Sequence, residues 1–323
     1  MVELEPLFAA VFERPADDGP RHVLADALQE AGDPRGEFIS LQLQARRNER
    51  SERRMQKLLD RHRETFLRGL KPLVMPGDQV WRRGFLESAT VLLDGLQVDL
   101  PDLATLRSLE VVFSPAAPLE LASPHMKSLT EVRLVSVNAV PVLFQAKRPL
   151  AIEAVGLEGP GDLRAWTLDH VTAVSRAESL PSLARLRFVA NLARFDETHW
   201  LWKLEVNKRL KQLEIDGSFR ALNLFEVITA AQHAAVLPTH VVFQTQVMTL
   251  RFHGADRFRS LQVELHARPA VAIFAAMLDT LPPDALDELT IEADSHWLQA
   301  ADSGLLRTAT RRFELRHLAL PGR

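Results

Sequence analysis

Apolar residues recur along most of this chain in a six-residue phrase, at its first, fourth and sixth places. The phrase stands at Leu106-x-x-Leu109-x-Val111, Leu129-x-x-Val132-x-Leu134, Ile152-x-x-Val155-x-Leu157, Leu183-x-x-Leu186-x-Phe188 and Leu210-x-x-Leu213-x-Ile215. It returns at Val247-x-x-Leu250-x-Phe252, Phe258-x-x-Leu261-x-Val263, Leu286-x-x-Leu289-x-Ile291 and Leu315-x-x-Leu318-x-Leu320. Side chains of a strand alternate between its faces, so the fourth and sixth places share one face and the first packs where the chain turns in. Each phrase predicts a short strand with one apolar side that a single unit cannot bury. Successive units can cover one another when their strands join in parallel with return segments behind them.

Most starts are about 23–31 residues apart, near the period of leucine-rich repeats. The expected fold is α/β: a leucine-rich-repeat-like solenoid with a parallel sheet over residues 79–323, preceded by a helical capping module over 1–78. Another repetitive α/β arrangement is the alternative. Two departures stand out. The turn position that usually carries Asn or Cys is orthodox only at Asn191, and Val247 and Phe258 are too close for a return helix, so that pair is a hairpin or one match is accidental.

The first eighty residues lack the phrase. A helix over Leu4–Phe12 ends before Pro15, and a second over Arg21–Ala31 sets Val23, Ala27, Leu24 and Leu28 on one stripe. In Gly32-Asp33-Pro34, Gly suits the position past a helix end, Asp an N-cap and Pro a first helical place. The third helix is read as continuing through Ala45 to Leu70. The run Arg21-His22-Val23-Leu24-Ala25-Asp26-Ala27-Leu28-Gln29-Glu30-Ala31-Gly32-Asp33-Pro34-Arg35-Gly36-Glu37-Phe38-Ile39-Ser40-Leu41-Gln42 closely resembles the bacterial repeat-companion domain, a short N-terminal module found beside leucine-rich-type repeats. Trp81-Arg82-Arg83-Gly84-Phe85 is similar to the usual lead-in to those repeats. Many members carry Trp where this chain has Ala27. The resemblance implies association with repeats and no reaction.

Composition narrows the function. The 323 residues are 46% hydrophobic, enough for burial, and a net charge of −3 points to neither nucleic acid nor membrane as the main partner. Arg46 to Arg68 is nevertheless Arg-rich, a phosphate-binding face or, as preferred, a solvated helix with Glu49–Arg53 and Glu64–Arg68 pairs. No transmembrane run or secretory signal is visible, so a cytoplasmic chain is expected. The absence of cysteine removes disulfides and thiolate chemistry.

No catalytic residue, cofactor or metal is expected. The eleven His residues form no His-Glu-x-x-His arrangement. His253, Glu264 and His266 would converge only if their strands align suitably, and Asp17, Asp18, Asp26, Asp33 and Glu37 read as caps and ion pairs. Gly156 to Gly161 lacks the lysine of a phosphate loop. Trp200 and Trp202 are read as packing on different neighbours. Long return helices are predicted over Leu224–Val236, Ala270–Leu281 and His296–Thr308.

The expected function is a non-enzymatic scaffold or adaptor, monomeric outside its complex, that binds a protein through the concave sheet face. An inhibitory, immunity-type subunit is the alternative, and a hydrolase or nucleotide-handling enzyme at a repeat edge ranks lower. Strand alternation gives two outward columns. One holds Glu110, Arg133, Gly156, Arg187, Glu214, Arg251, Gln262 and Thr290; the other holds Val112, Val135, Glu158, Val189, Asp216, His253, Glu264 and Glu292. The partner-binding set is Glu110, Arg133, Arg187, Glu214, Asp216, Arg251, His253, Glu264 and Glu292. The acidic stretch at Asp216, Glu264 and Glu292 should answer something basic, either a partner or the chain's own Arg-rich helix.

Overall fold

The computed structural model describes residues 3–46, 48–93, 100–113, 124–136, 140–144, 149–158, 168–189, 201–216, 237–254, 259–294 and 296–321. The chain is mixed α/β with twelve strands, mostly parallel. It divides into two compact units, residues 1–135 with 148–152 and residues 136–147 with 153–323.

The first unit opens with helices. Between α1 (Glu5–Glu13) and α2 (Gly19–Glu30), the Asp17 carboxylate accepts a hydrogen bond from Gly19 N at 2.8 Å. The buried stripe of α2 is Arg21, Leu24, Ala25 and Leu28, at helical spacing. Val23, expected on that stripe, is 56% exposed, because adjacent residues lie about 100° apart around a helix. Asp33 caps α3 (Pro34–Leu43) by accepting from Arg35 N at 2.8 Å, and Pro34 takes the first helical place. The helix does not run on to Leu70 as the sequence predicts. Gln44 turns extended, and Asn48 opens a separate α4 (Glu49–Leu67) by accepting from Ser51 N at 2.9 Å.

The conspicuous Gly-Asp-Pro-Arg-Gly-Glu run is accounted for by these helices. A Cβ on Gly36 would lie 2.6 Å from the Ala25 carbonyl oxygen, so Gly36 is where α3 meets α2. Arg35 is only 4% exposed. It donates to the carbonyls of Phe66 at 2.8 Å and Gly84 at 3.3 Å, and its guanidinium carbon sits 4.5 Å from the Phe85 ring centroid. Burial, and then the charge of Arg68, pulls its pKa down to about 9, which leaves it charged at neutral pH. Glu37 pairs with Arg54, which holds its carboxyl below the usual range.

Trp81-Arg82-Arg83-Gly84-Phe85 makes the turn between β1 (Val80–Arg82) and β2 (Phe85–Leu93), which pair antiparallel. Arg83 and Gly84 have φ of 52° and 81°, the two positive values that a two-residue hairpin matching strand twist demands. Phe85 and Ala104 join one buried cluster with Phe8, Val11, Phe12, Leu24, Leu28 and Ile39. The sequence boundary at 78/79 therefore cuts through a core. β3 (Ser108–Phe113) pairs parallel with both β2 and β4 (Glu131–Ser136), aligning Ala89, Leu109 and Val132.

In the second unit β5 (Ala154–Glu158), β6 (Arg185–Val189), β7 (Gln212–Asp216) and β8 (His240–Gln244) are parallel in chain order. Val155, Leu186, Leu213 and Val241 form one buried rung, and Leu157, Phe188, Ile215 and Phe243 the next. β8 was missed by the phrase because Pro238 occupies its first place. β9 (Met248–His253) is antiparallel to both β8 and β10 (Ser260–Leu265), so the Val247 phrase marks an inserted hairpin strand. Its Leu250 and Phe252 are still buried, facing the rungs of Val263 and Leu261. β11 (Glu288–Ala293) and β12 (His317–Ala319) resume the parallel order.

The return segments differ from expectation in three places. α5 (Val140–Phe144) and α6 (Leu168–Arg176) are return helices beyond the three predicted from the sequence. α6 earns its place by burying Ala173 and Val174. α7 (Pro269–Thr280) matches its prediction, while α8 (Ala300–Thr310) starts later than His296 because Gln299 and Asp302 form a reciprocal capping box there. The helix expected over 224–236 lies outside the described residues.

Candidate partner-binding face

The outward side of the second unit's strands is built by alternation from the same residues that supply the rungs. Gly156, Arg187, Glu214, Val242, Arg251, Gln262 and Thr290 stand in register, one per strand from β5 to β11. From Gly156 on, the first predicted column thus holds, with Val242 of the missed strand added. Glu110 and Arg133 are register partners in the first unit, where Arg133 also donates to the Ser88 hydroxyl at 2.9 Å.

The second column needs correction. Reversing β9 sends His253 to the other end of the row, opposite His240 and Ser260, and puts Thr249 between Gln244 and Glu264. Asp216 and Glu264 stand in one row, with Gln244 and Thr249 of the two intervening strands between them. Glu264 and Glu292 are direct neighbours, across β10 and β11. Val112, Val135 and Glu158 have side chains outside the described residues.

The acidic groups find their basic partners within the sheet. Arg187 reaches Asp216 at 2.5 Å and Glu214 at 3.2 Å, and Arg251 reaches Glu264 at 2.7 Å. Gln262 donates to Glu292 at 3.0 Å. Three arginines of the Arg-rich segment pair within the first unit: Arg53 with Glu49, Arg54 with Glu37, and Arg68 with Asp102 and Glu5. Neither source named from sequence was the neighbouring strands themselves, which is what register supplies. Half-exposed pairs of this kind contribute about 0.2–1 kcal/mol each, so they order the face more than they stabilise it.

His253, Glu264 and His266 do not converge, because β9 is reversed and His253 stands opposite Ser260. His266 Nε2 lies 2.9 Å from the Thr249 hydroxyl. His253 instead meets His240 edge to face, with ring centroids 4.8 Å apart. Partial burial first, then His240 and Arg251, lower the pKa of His253. Sequence reasoning passed over His240 because β8 itself was not recognised. Of the acidic residues near the N-terminus, Asp33 is an N-cap, while Asp17 accepts from Gly19 N in the turn before α2 and pairs with Arg14. Trp202 is buried, 6.4 Å from the Phe243 ring, while Trp200 lies outside the described residues.

Among the described residues no group of three His, Cys, Asp or Glu side chains is placed to hold a metal ion, and no helix is long and apolar enough to cross a membrane. No family model matches the chain, and neither curated proteins nor solved structures yield a significant match.

Proposed function

We propose that this chain is a non-enzymatic binding scaffold of the leucine-rich-repeat-like solenoid class, with residues 21–42 acting as a repeat-companion-type module at its start. It takes a protein partner on the outward face of strands β6 to β11. The observation that carries this reading is the registered row Arg187, Glu214, Arg251, Gln262 and Thr290: half-buried polar side chains on a continuous face, held in fixed geometry by cross-strand pairs. Such a row offers an extended, mixed-charge surface on rigid strands, suited to a partner with its own alternating charges. Because Arg187 and Arg251 already answer the acids, the partner need not be strongly basic. Complementarity in the order of charges sets its specificity.

The test is capture by the full chain as bait, with proteins identified by mass spectrometry, beside a bait carrying Glu214→Lys, Gln262→Lys and Thr290→Lys. A partner retained by the parent and lost by the variant at unchanged melting temperature supports the face. Equal retention by both baits rejects it.

A further inference from the structure

We infer that His240 and His253 form a binding site for one divalent first-row cation that favours imidazole, such as Zn2+, Ni2+ or Cu2+. The inference does not depend on the proposed partner face. Three features of the pair carry it. His240 and His253 are register partners in the antiparallel β8–β9 ladder. The amide of His240 donates away from β9, to Lys211 O at 2.9 Å, while the flanking pairs Gly254 N to Thr239 O and Thr245 N to Met248 O close the hairpin. His240 and His253 therefore occupy a non-hydrogen-bonded position, where facing side chains come nearest.

The spacing of the rings suits a shared ion. With metal–nitrogen bonds of about 2.0–2.1 Å and a ring nitrogen about 1.2 Å from its centroid, each centroid would lie about 3.2 Å from the metal. With both ring nitrogens turned to one ion, a centroid separation of 4.8 Å corresponds to a nitrogen–metal–nitrogen angle of roughly 97°, between octahedral and tetrahedral values, and from the edge-to-face arrangement this takes a rotation of the side chains. His240 Nδ1 lies 3.3 Å from the Lys211 carbonyl oxygen. Donation there fixes the tautomer and leaves the Nε2 lone pair free, the arrangement by which ligating histidines are usually oriented.

Electrostatics do not oppose the ion at neutral pH. His253 is held below the usual histidine pKa, chiefly by partial burial, so it presents a neutral imidazole. Arg251, whose charge also lowers the His253 pKa, is paired with Glu264. Ser260, opposite His253 on β10, is uncharged. With two protein ligands the remaining positions go to water, which gives modest affinity and makes the site one for capture and not for folding. Hard cations such as Mg2+, which require oxygen donors, should not bind.

The experiment titrates the tag-free full chain with Zn2+ by calorimetry at pH 7.5, with Mg2+ as control. One Zn2+ per chain is expected, with at least a tenfold loss of affinity in His240→Ala and separately in His253→Gln, and no change in His317→Ala. Bound Cu2+ should show two equatorial nitrogens by electron paramagnetic resonance. Zn2+ binding should also weaken as pH falls to 5.5 and the imidazoles protonate. No Zn2+ uptake by the parent, or equal uptake by a folded His240→Ala, His253→Gln double variant, overturns the proposal. Circular dichroism melting establishes that each variant is folded.

Discussion

Replacing Gly36 and Gly304 by alanine should move stability in opposite directions, although both glycines lie in helices. In isolation either change favours the helix by about 0.5–1 kcal/mol, since glycine loses more backbone freedom on folding than alanine. At Gly304, in α8, nothing lies within 4 Å of the added methyl, so that gain should appear nearly whole. At Gly36 the new Cβ would meet the Ala25 carbonyl oxygen at 2.6 Å and Gln29 N at 2.7 Å. Both are backbone atoms of α2 and cannot rotate aside. Relief requires α2 and α3 to part by about 0.8 Å or more to reach ordinary contact near 3.4 Å, opening voids around Leu24, Leu28 and Ile39; overpacking of this kind costs about 1–3 kcal/mol. The net expectation is a loss of about 1–2 kcal/mol for Gly36→Ala and a gain of about 0.5–1 kcal/mol for Gly304→Ala. Urea denaturation followed by far-UV circular dichroism measures both. Stabilisation by Gly36→Ala would refute the close helix contact.

Arg35→Ala should destabilise by about 3–5 kcal/mol in the same assay, because the Phe66 and Gly84 carbonyls lose their donor and the Phe8–Phe85 pocket empties; Arg35→Met, which refills the pocket, should be the less damaging of the two. Asp33→Ala removes the cap on α3 and should cost about 1 kcal/mol by thermal melting. Because the His253 pKa is lowered on folding, the unfolded chain binds the proton more readily just below the ordinary histidine pKa. Stability should therefore fall as pH drops through that window, and His253→Gln should flatten the decline measured by melting between pH 7.5 and 5.5. Residues 1–78 expressed alone lack Phe85 and Ala104 and should not melt cooperatively; a sharp, parent-like transition in both that piece and residues 79–323 would remove the shared core from consideration.

Local chemistry written in single residues was legible in the sequence. Asp33 and Pro34 could announce the start of α3, and the phrase Leu210-x-x-Leu213-x-Ile215 could announce β7, because caps and strand alternation act over a few residues. The predicted first column survives for the same reason: each member depends only on the parity of its own strand. What depends on pairing partners was not legible. The direction of β9 decides whether His253 stands beside Glu264 or beside His240, yet Leu250 and Phe252 present the same apolar face in either direction, so periodicity cannot distinguish them. Likewise the acids of β7 and β10 look unanswered along the chain, and only register brings Arg187 and Arg251 within reach. Gly36 and Arg35 read locally as small and charged residues in the first turn of a helix; the tertiary structure makes one a backbone contact and the other a buried cation, because both roles are set by α2, Phe66 and Gly84, which lie elsewhere in the chain.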